Sequence, residues 1–377
     1  MNTKFLKAIA IMVGTTIGAG IFALPYAIMK IGFWNGLVYL LVLGLLNILV
    51  NLLYGEVVLR TAGDHQMTGY GQIYLGKLGK TLASIALFVT IYGALLAYII
   101  KSGEFAALVL NLSQPFLFSL VFFALASTAI FFGLKTLAKF ELLLTSLIVI
   151  FIYILALIAF PHLQSINYQS TINSLSINNL LLPYGVILFA LTGMSAVPEM
   201  EEILRTEHHN LKKAILIGSL IPLIVYLIFA AVIVGVSGWK TSPDAILGLV
   251  GFLPAWVVRL GAGLGILTMS TSFLSLGFVL REVWFRDFKL NKNLAFGLAV
   301  LPSLALFLLG TRNFIGVLEI AGSIACGLSG LLVVWLYYEA KIHGKRLPAY
   351  SLSIPKFVLL ILAIVFTLGL FSPLFTH

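Results

Sequence analysis

Apolar residues run along this chain in long, unalternating stretches, without the period of two that marks a half-buried strand. Segments near 5–29, 33–59, 81–110, 114–133, 140–160, 181–198, 213–237, 254–281, 293–310, 313–338 and 355–373 are the candidate spans. A hydrocarbon core takes about 20 apolar residues of helix to cross. The pattern therefore predicts an all-α integral membrane protein of about eleven transmembrane helices. The tightest connections are Lys30–Gly32 and Gly310–Arg312.

Two spans are interrupted. The first holds Gly14-Thr15-Thr16-Ile17-Gly18-Ala19-Gly20 and then Pro25; the sixth holds Leu191-Thr192-Gly193-Met194-Ser195-Ala196-Val197-Pro198 and then Glu199. Glycine costs about 1 kcal/mol in a helix interior and proline about 3. Unwound backbone is tolerated at membrane depth only where it lines a cavity or is buried in protein. Taken alone, the glycines of the first span also suit close helix contact through small residues. The pairing favours the other reading, because the interruptions open the first and sixth spans and so head two groups of five. Five helices followed by five of opposite topology form an inverted repeat, expected here over 1–160 and 161–338, with 339–377 adding a cytoplasmic loop and the eleventh helix. Interrupted segments at matching positions of two such halves point to a transporter's binding site.

A broken helix brings its own chemistry. Beyond the first break, near Ala19 and Gly20, amides and the positive end of a dipole face an anion such as a carboxylate. Before it, carbonyls near Gly14 and Ile17 suit a cation, either a substrate ammonium or a coupling ion. A zwitterion satisfies both, so an amino acid is the expected small-molecule partner. Thr15, Thr16, Gly18, Ala19, Gly20 and Gly193 are the expected backbone-and-hydroxyl part of the pocket. Phe22, Tyr98, Phe189 and Thr192 stand close enough to the breaks to line it. Thr268, Thr271 and Ser272 fall at i, i+3 and i+4, on one face of the eighth span. With the carbonyls of Gly14 and Ile17 they make an oxygen-only set suited to Na+. The alternative is that these hydroxyls bond carbonyls of their own helix.

Composition closes off a soluble reading. Of 377 residues, 61% are hydrophobic and 10% charged, against roughly 25% charged in a soluble domain. Mean hydropathy is +1.10. The bilayer is the solvent. A single cysteine, Cys326, excludes a disulfide framework and a cysteine-rich metal site. The net charge of +10 does not mark a nucleic-acid binder, because the cations lie in short loops rather than on one face. With Lys4 and Lys7 placed in the cytoplasm, only Lys30, Lys240 and Arg312 fall in loops expected outside. Lys101 and Arg259 fall within spans, and the rest of the 23 Lys and Arg fall inside. Positive charge favours the cytoplasmic side, so the expectation is a multi-pass protein of the inner cell membrane with a cytoplasmic N-terminus and an external C-terminus. Two longer outer loops, near Pro161–Asn179 and Ser237–Leu253, suit caps of an outer vestibule. The stretch Arg60–Lys80, with Gly63, Gly69, Gly71, Gly76 and Gly79, reads as an irregular loop or a short interfacial helix. The first apolar stretch lacks a small-residue cleavage site and is expected to be a span rather than a signal peptide.

Acids within a bilayer are costly and are functional candidates by default. Glu56, Glu104 and Glu319 are the candidates for a group that titrates in a proton-coupled cycle. Glu199, Glu201 and Glu202 are followed by Arg205, Lys212 and Lys213 and read as a solvated charge network. Lys101 either snorkels outward or pairs with Glu104 near an outer gate.

At these residues the chain resembles the aromatic and hydroxy amino acid permeases. They are the bacterial tyrosine- and tryptophan-specific group of the amino acid/polyamine/organocation superfamily, which has the leucine-transporter fold. The Gly14–Gly20 run followed by Pro25 is similar to that family's first-helix signature. So are Ala97-Tyr98-Ile99 with Gly103-Glu104, Ser195-Ala196-Val197-Pro198, Gly218-Ser219-Leu220-Ile221-Pro222-Leu223 and Thr271-Ser272-Phe273-Leu274. The resemblance covers nearly the whole chain and implies eleven spans, amino acid uptake and, usually, proton coupling; Lys101 departs from the family's pattern. The expected function is ion-coupled uptake of an aromatic or other neutral amino acid, by proton symport through alternating access. Sodium-coupled symport or exchange is the alternative. No cofactor beyond the coupling ion, H+ or Na+, is called for, and nothing in the pattern specifies an oligomer. An embedded enzyme is disfavoured because His65, His162, His208, His209, His343 and His377 all fall in loops or at the end. A channel would need a charged ring or filter repeat, and a sensor built on this fold usually carries a long soluble tail.

Overall fold

The computed structural model describes residues 3–132, 138–164 and 177–376. Lipid offers backbone groups no partner, and a helix pairs them within one segment, so each apolar stretch folds as helix. In chain order the helices are α1 (Thr3–Thr16), α2 (Gly20–Lys30), α3 (Phe33–Arg60), α4 (Met67–Leu110), α5 (Pro115–Phe132), α6 (Ala138–Ala159), α7 (Ile177–Leu191), α8 (Ala196–Ile203), α9 (Leu211–Ser237), α10 (Ala255–Glu282), α11 (Lys292–Leu308), α12 (Phe314–Ala321), α13 (Gly327–His343), α14 (Lys356–Leu370) and α15 (Pro373–Thr376). A π-helical turn, Gly322–Cys326, joins α12 to α13. Among the described residues, eight stretches are long and apolar enough to cross a membrane. The α1–α2 pair makes a ninth, bent by 59°, and α11 and α14 are shorter apolar helices. This is a multi-pass membrane protein, and the helices are consistent with the expected eleven spans. Lys135 and most of the expected outer loop at 161–179 lie outside the described residues.

Gly76 has φ +63°, a conformation open to glycine and strained for most residues. It bends the first turns of α4, from Met67 onward, away from the spanning part. The stretch Arg60–Lys80 thus contains a short helix.

The first and sixth spans occupy the centre. Helix α2 packs on α7, α1 packs on α8, and α9 runs against α1 and α2. A Cβ on Gly20 would lie 2.6 Å from the Cα of Ala190, so glycine is what lets α2 approach α7 this closely. Large apolar side chains such as Leu125, Phe132 and Leu157 remain exposed on the outside of the bundle, as lipid-facing residues should.

At the end that carries the N-terminus, the segment between α13 and α14 is strapped to α3. The fully buried Glu56 carboxylate accepts from Arg60 Nη2 at 2.8 Å, Ser351 Oγ at 3.0 Å and the Leu352 amide at 2.6 Å. Tyr350 donates to the Leu52 carbonyl at 2.7 Å. Burial, and then the charge of Glu56, raise the Tyr350 phenol above its ordinary value and keep it a neutral donor. Glu56 therefore anchors a loop. The expected network around Glu199–Glu202 is also rearranged. Arg205 pairs with Asp64 at 2.5 Å, while the buried Glu201 faces His208 at 3.0 Å and Arg346 at 4.0 Å. Removing one partner of a buried pair costs about 3–5 kcal/mol. Glu56→Ala should therefore lower the melting temperature of the detergent-solubilised protein and open the 344–355 segment to trypsin at Arg346. Wild-type melting and wild-type resistance would remove the strap.

Candidate functional site

Both broken helices open with the same hydrogen-bond pattern. In the first, the Ile17 amide closes the helix on Val13, at 2.9 Å. The Ile21 and Phe22 amides then restart it on the carbonyls of Gly18 and Ala19, at 3.4 and 3.1 Å. In the sixth, the Thr192 amide closes on Phe189 at 3.2 Å, and the Ala196 and Val197 amides restart on Gly193 and Met194, at 3.0 and 3.1 Å. The amides of Gly18, Ala19 and Gly20 therefore correspond to those of Gly193, Met194 and Ser195. Among the described residues, these amides stand outside the backbone ladder. The first break is narrower than the glycine run: Gly14, Thr15 and Thr16 are still helical. The carbonyls of Gly14, Thr15 and Ile17 are nonetheless freed, because the amides four residues on are at the break or turn elsewhere.

A tyrosine on α9 ties the breaks together. The buried Tyr226 hydroxyl lies 2.8 Å from the Thr16 carbonyl and 2.9 Å from the Ala190 carbonyl, so one O–H is shared between the two interrupted helices. Asn47 of α3 donates to the next carbonyl, that of Leu191, at 2.9 Å. The Thr16 hydroxyl bonds Met12 at 2.8 Å, and a Cβ on Gly193 would run into that hydroxyl. The breaks thus cross in contact at Thr16 and Gly193.

The remaining expected lining residues divide. Tyr98 is buried, and a Cβ on Gly18 would lie 3.7 Å from its hydroxyl. Thr192 donates to the Leu188 carbonyl at 2.8 Å, and the Cys326 sulfur lies 2.9 Å from the same threonine oxygen. Phe189 is half-buried and adjoins the π-helical turn at Gly322. Phe22 is more deeply engaged, with edge contacts to Phe105 and Phe229 at 5.3 and 6.3 Å. Its ring reads as the wall between α2, α4 and α9. Thr15 is exposed, and Ala19 is buried within the break.

Helix α10 reaches the first span where a Cβ on Gly265 would lie 3.2 Å from the Phe22 ring. One turn further on, the Thr268 hydroxyl is buried without a partner, whereas Thr271 donates to the Thr268 carbonyl at 2.9 Å. Thr271 follows the intrahelical alternative, and Thr268 leaves an oxygen available. Ser272 is buried on the same face.

At the end away from the N-terminus, Lys101 is 3% exposed. It does not snorkel. It forms ion pairs with Glu104 and, at 3.2 Å, with Asp244 of the segment between α9 and α10.

The profile of the tryptophan/tyrosine permease family matches residues 1–372. The chain belongs to that family. Tyrosine-specific transport system 1 of Haemophilus influenzae is 24% identical over 391 residues, covering 97% of this chain and 96% of its own. Glutamine transporter 2 of Aliivibrio fischeri is 23% identical over 243 residues, 62% of each chain. The match therefore spans less than two thirds of that relative's length. Among solved structures, MhsT in complex with L-phenylalanine superposes with a TM-score of 0.71 at 15% identity, over 99% of this chain and 98% of that one. The inward-facing conformation of Mhp1 gives 0.66 at 11% identity, over 99% and 89%. At such identities the likeness shows the fold, and it is a transporter fold with broken first and sixth helices. The permease family and this fold mark a transport protein rather than an enzyme.

Sequence reasoning missed Tyr226, Asn47, Cys326 and Asp244 as parts of the site. A lone tyrosine or asparagine in an apolar helix carries no pattern of its own; Pro222, four residues before Tyr226, was the nearest signal. An unsatisfied buried acceptor costs about 1–3 kcal/mol. Tyr226→Phe should destabilise the protein by that order and raise hydrogen exchange at the amides of 18–21 and 193–196. Unchanged exchange at both breaks would show that the phenol does not hold them.

Proposed function

We propose that this chain is a secondary transporter that takes up a neutral amino acid, an aromatic one, by proton symport through alternating access. The observation that carries the reading is the matched pair of breaks at one crossing point, each with three amides outside the ladder. Helix N-termini favour anions, so the amides of Gly18–Gly20 and Gly193–Ser195 take the substrate carboxylate. The freed carbonyls of Gly14, Thr15 and Ile17 take its ammonium. Tyr98, Phe189 and Thr192 line the side-chain end of the pocket. The tyrosine-specific transport system of Haemophilus influenzae and the L-phenylalanine complex of the similar fold support an aromatic substrate. The distribution of Lys and Arg supports an inner-membrane protein with its N-terminus in the cytoplasm.

One observation favours sodium as a second coupling reading. The Thr268 hydroxyl has no partner in a buried position. Together with Thr271, Ser272 and the carbonyls of Gly14 and Ile17, it would supply the oxygen-only set expected for Na+.

A ligand that binds the folded state stabilises it in proportion to the logarithm of its concentration over Kd. Purified protein screened against the twenty amino acids, with and without sodium, should melt higher with tyrosine, tryptophan or phenylalanine. Uptake into proteoliposomes should saturate and should accumulate under an imposed pH gradient. Silence to every amino acid in both buffers would overturn the substrate class. Unsaturable flux would overturn the carrier, and accumulation on a sodium gradient alone would select the second reading.

A further inference from the structure

We propose that Lys101, Glu104 and Asp244 form the binding site of the coupling proton, and that proton binding there closes the end of the pathway away from the N-terminus. This deepens the proton-symport reading above and rests on it.

One ammonium joins three elements. Lys101 and Glu104 lie on α4, Asp244 on the segment between α9 and α10, and the Phe314 ring at the start of α12 sits 4.8 Å from Lys101 Nζ. The Asp244 side chain is 3% exposed, as is that of Lys101, whereas that of Glu104 is 31% exposed. The second Asp244 oxygen accepts from Ser242 at 2.8 Å and from the Leu247 amide at 2.9 Å. Asp244 is therefore a rigid part of its loop and moves only with it. The site lies close to the breaks, because Tyr98, one turn before Lys101 on α4, is the residue beside Gly18.

The other cations near the cluster are engaged elsewhere or exposed. Arg259 of α10 is exposed. Arg312, just ahead of α12, stacks on Phe116 and Phe307 at 4.9 and 5.6 Å. Lys240 lies over Phe252 at 6.0 Å. Glu319 is buried further along α12, and α5 contributes Pro115 and Ser119 against Gly103. The cluster thus holds one cation and two carboxylates, a net charge of −1 when both are ionised.

That count ties proton binding to closure. A buried net charge is costly in a membrane protein, and a matched pair is much less so. With the loop closed, a proton on Glu104, the most exposed of the three, leaves a neutral Lys101–Asp244 pair. With the loop lifted, Asp244 departs into water and Lys101 needs an ionised Glu104 as its partner. The closed state therefore prefers the protonated cluster and the open state the ionised one. A ligand that favours one state drives it, so closing over substrate draws a proton from the outer solution. The step adds one proton to a Glu104 carboxylate oxygen, and Lys101 stays an ammonium throughout.

Glu104→Gln mimics the protonated side chain permanently. It should lose accumulation driven by a pH gradient at least tenfold, in a protein that melts like wild type, and slow counterflow exchange of labelled tyrosine as well, because Lys101 is then left unpaired whenever the loop lifts. Asp244→Asn should lose the same accumulation, because Lys101 and Glu104 are then neutral without a proton, and Glu104→Asp should recover part of the coupling. Wild-type protein in weakly buffered detergent should take up a proton when substrate binds, read with a pH-indicator dye, and Glu104→Gln should not. Undiminished pH-driven accumulation in either neutral variant overturns the proposal. So does wild-type counterflow in Glu104→Gln, or equal proton uptake by wild type and variant. A wild-type protein that neither accumulates substrate under a pH gradient nor takes up a proton overturns the symport reading itself, and this proposal with it.

Discussion

A carbonyl freed at mid-membrane depth has no water to pair with, and two helices broken at one crossing point free several such groups together. The Tyr226 phenol meets that constraint for one carbonyl of each helix, Thr16 and Ala190. Much else at the centre depends on this shared O–H. It requires the two helices to cross within reach of one ring, which the close approach of Gly20 to Ala190 and of Gly193 to Thr16 permits. It requires α9 to run against the first span. It leaves the amides on the far side of each break outside the ladder, so the groups that make the break costly are also the ones a ligand can complete.

The glycine and proline positions made both breaks legible, because their cost within a helix is local and needs no tertiary knowledge. The long apolar stretches showed the helical class, and the helices are consistent with the count of spans they suggested. The glycine run placed the first break too early, since Gly14 to Thr16 remain helical and the unwinding covers only Ile17 to Ala19. What holds the breaks was illegible for a physical reason. In a chain with 14 tyrosines and 28 phenylalanines, a ring on an apolar helix is equally compatible with lipid, core or site, and the contact between Tyr226 and Thr16 joins residues 210 apart. Lys101 shows the same limit. The sequence offered Glu104, three residues away, but the partner that keeps the lysine buried is Asp244, 143 residues on.

The two ends of the bundle use buried acids in opposite ways. At the N-terminal end, Glu56 receives Arg60, Ser351 and the Leu352 amide, with Lys341 3.7 Å away. Cations and neutral donors there outnumber the carboxylate, and the Ser351 and Leu352 contacts draw the segment between α13 and α14 onto α3. At the other end, two carboxylates compete for one ammonium. A saturated acid holds a single arrangement, because any movement strands its donors. In the switch we propose, a cluster with one charge too many has two balanced arrangements, Lys101 with Asp244 or Lys101 with Glu104, and passes between them by gaining or losing a proton. Bistability of this kind is what alternating access would require of a gate, and the charge count favours the cluster near Tyr98 over the more deeply buried Glu56.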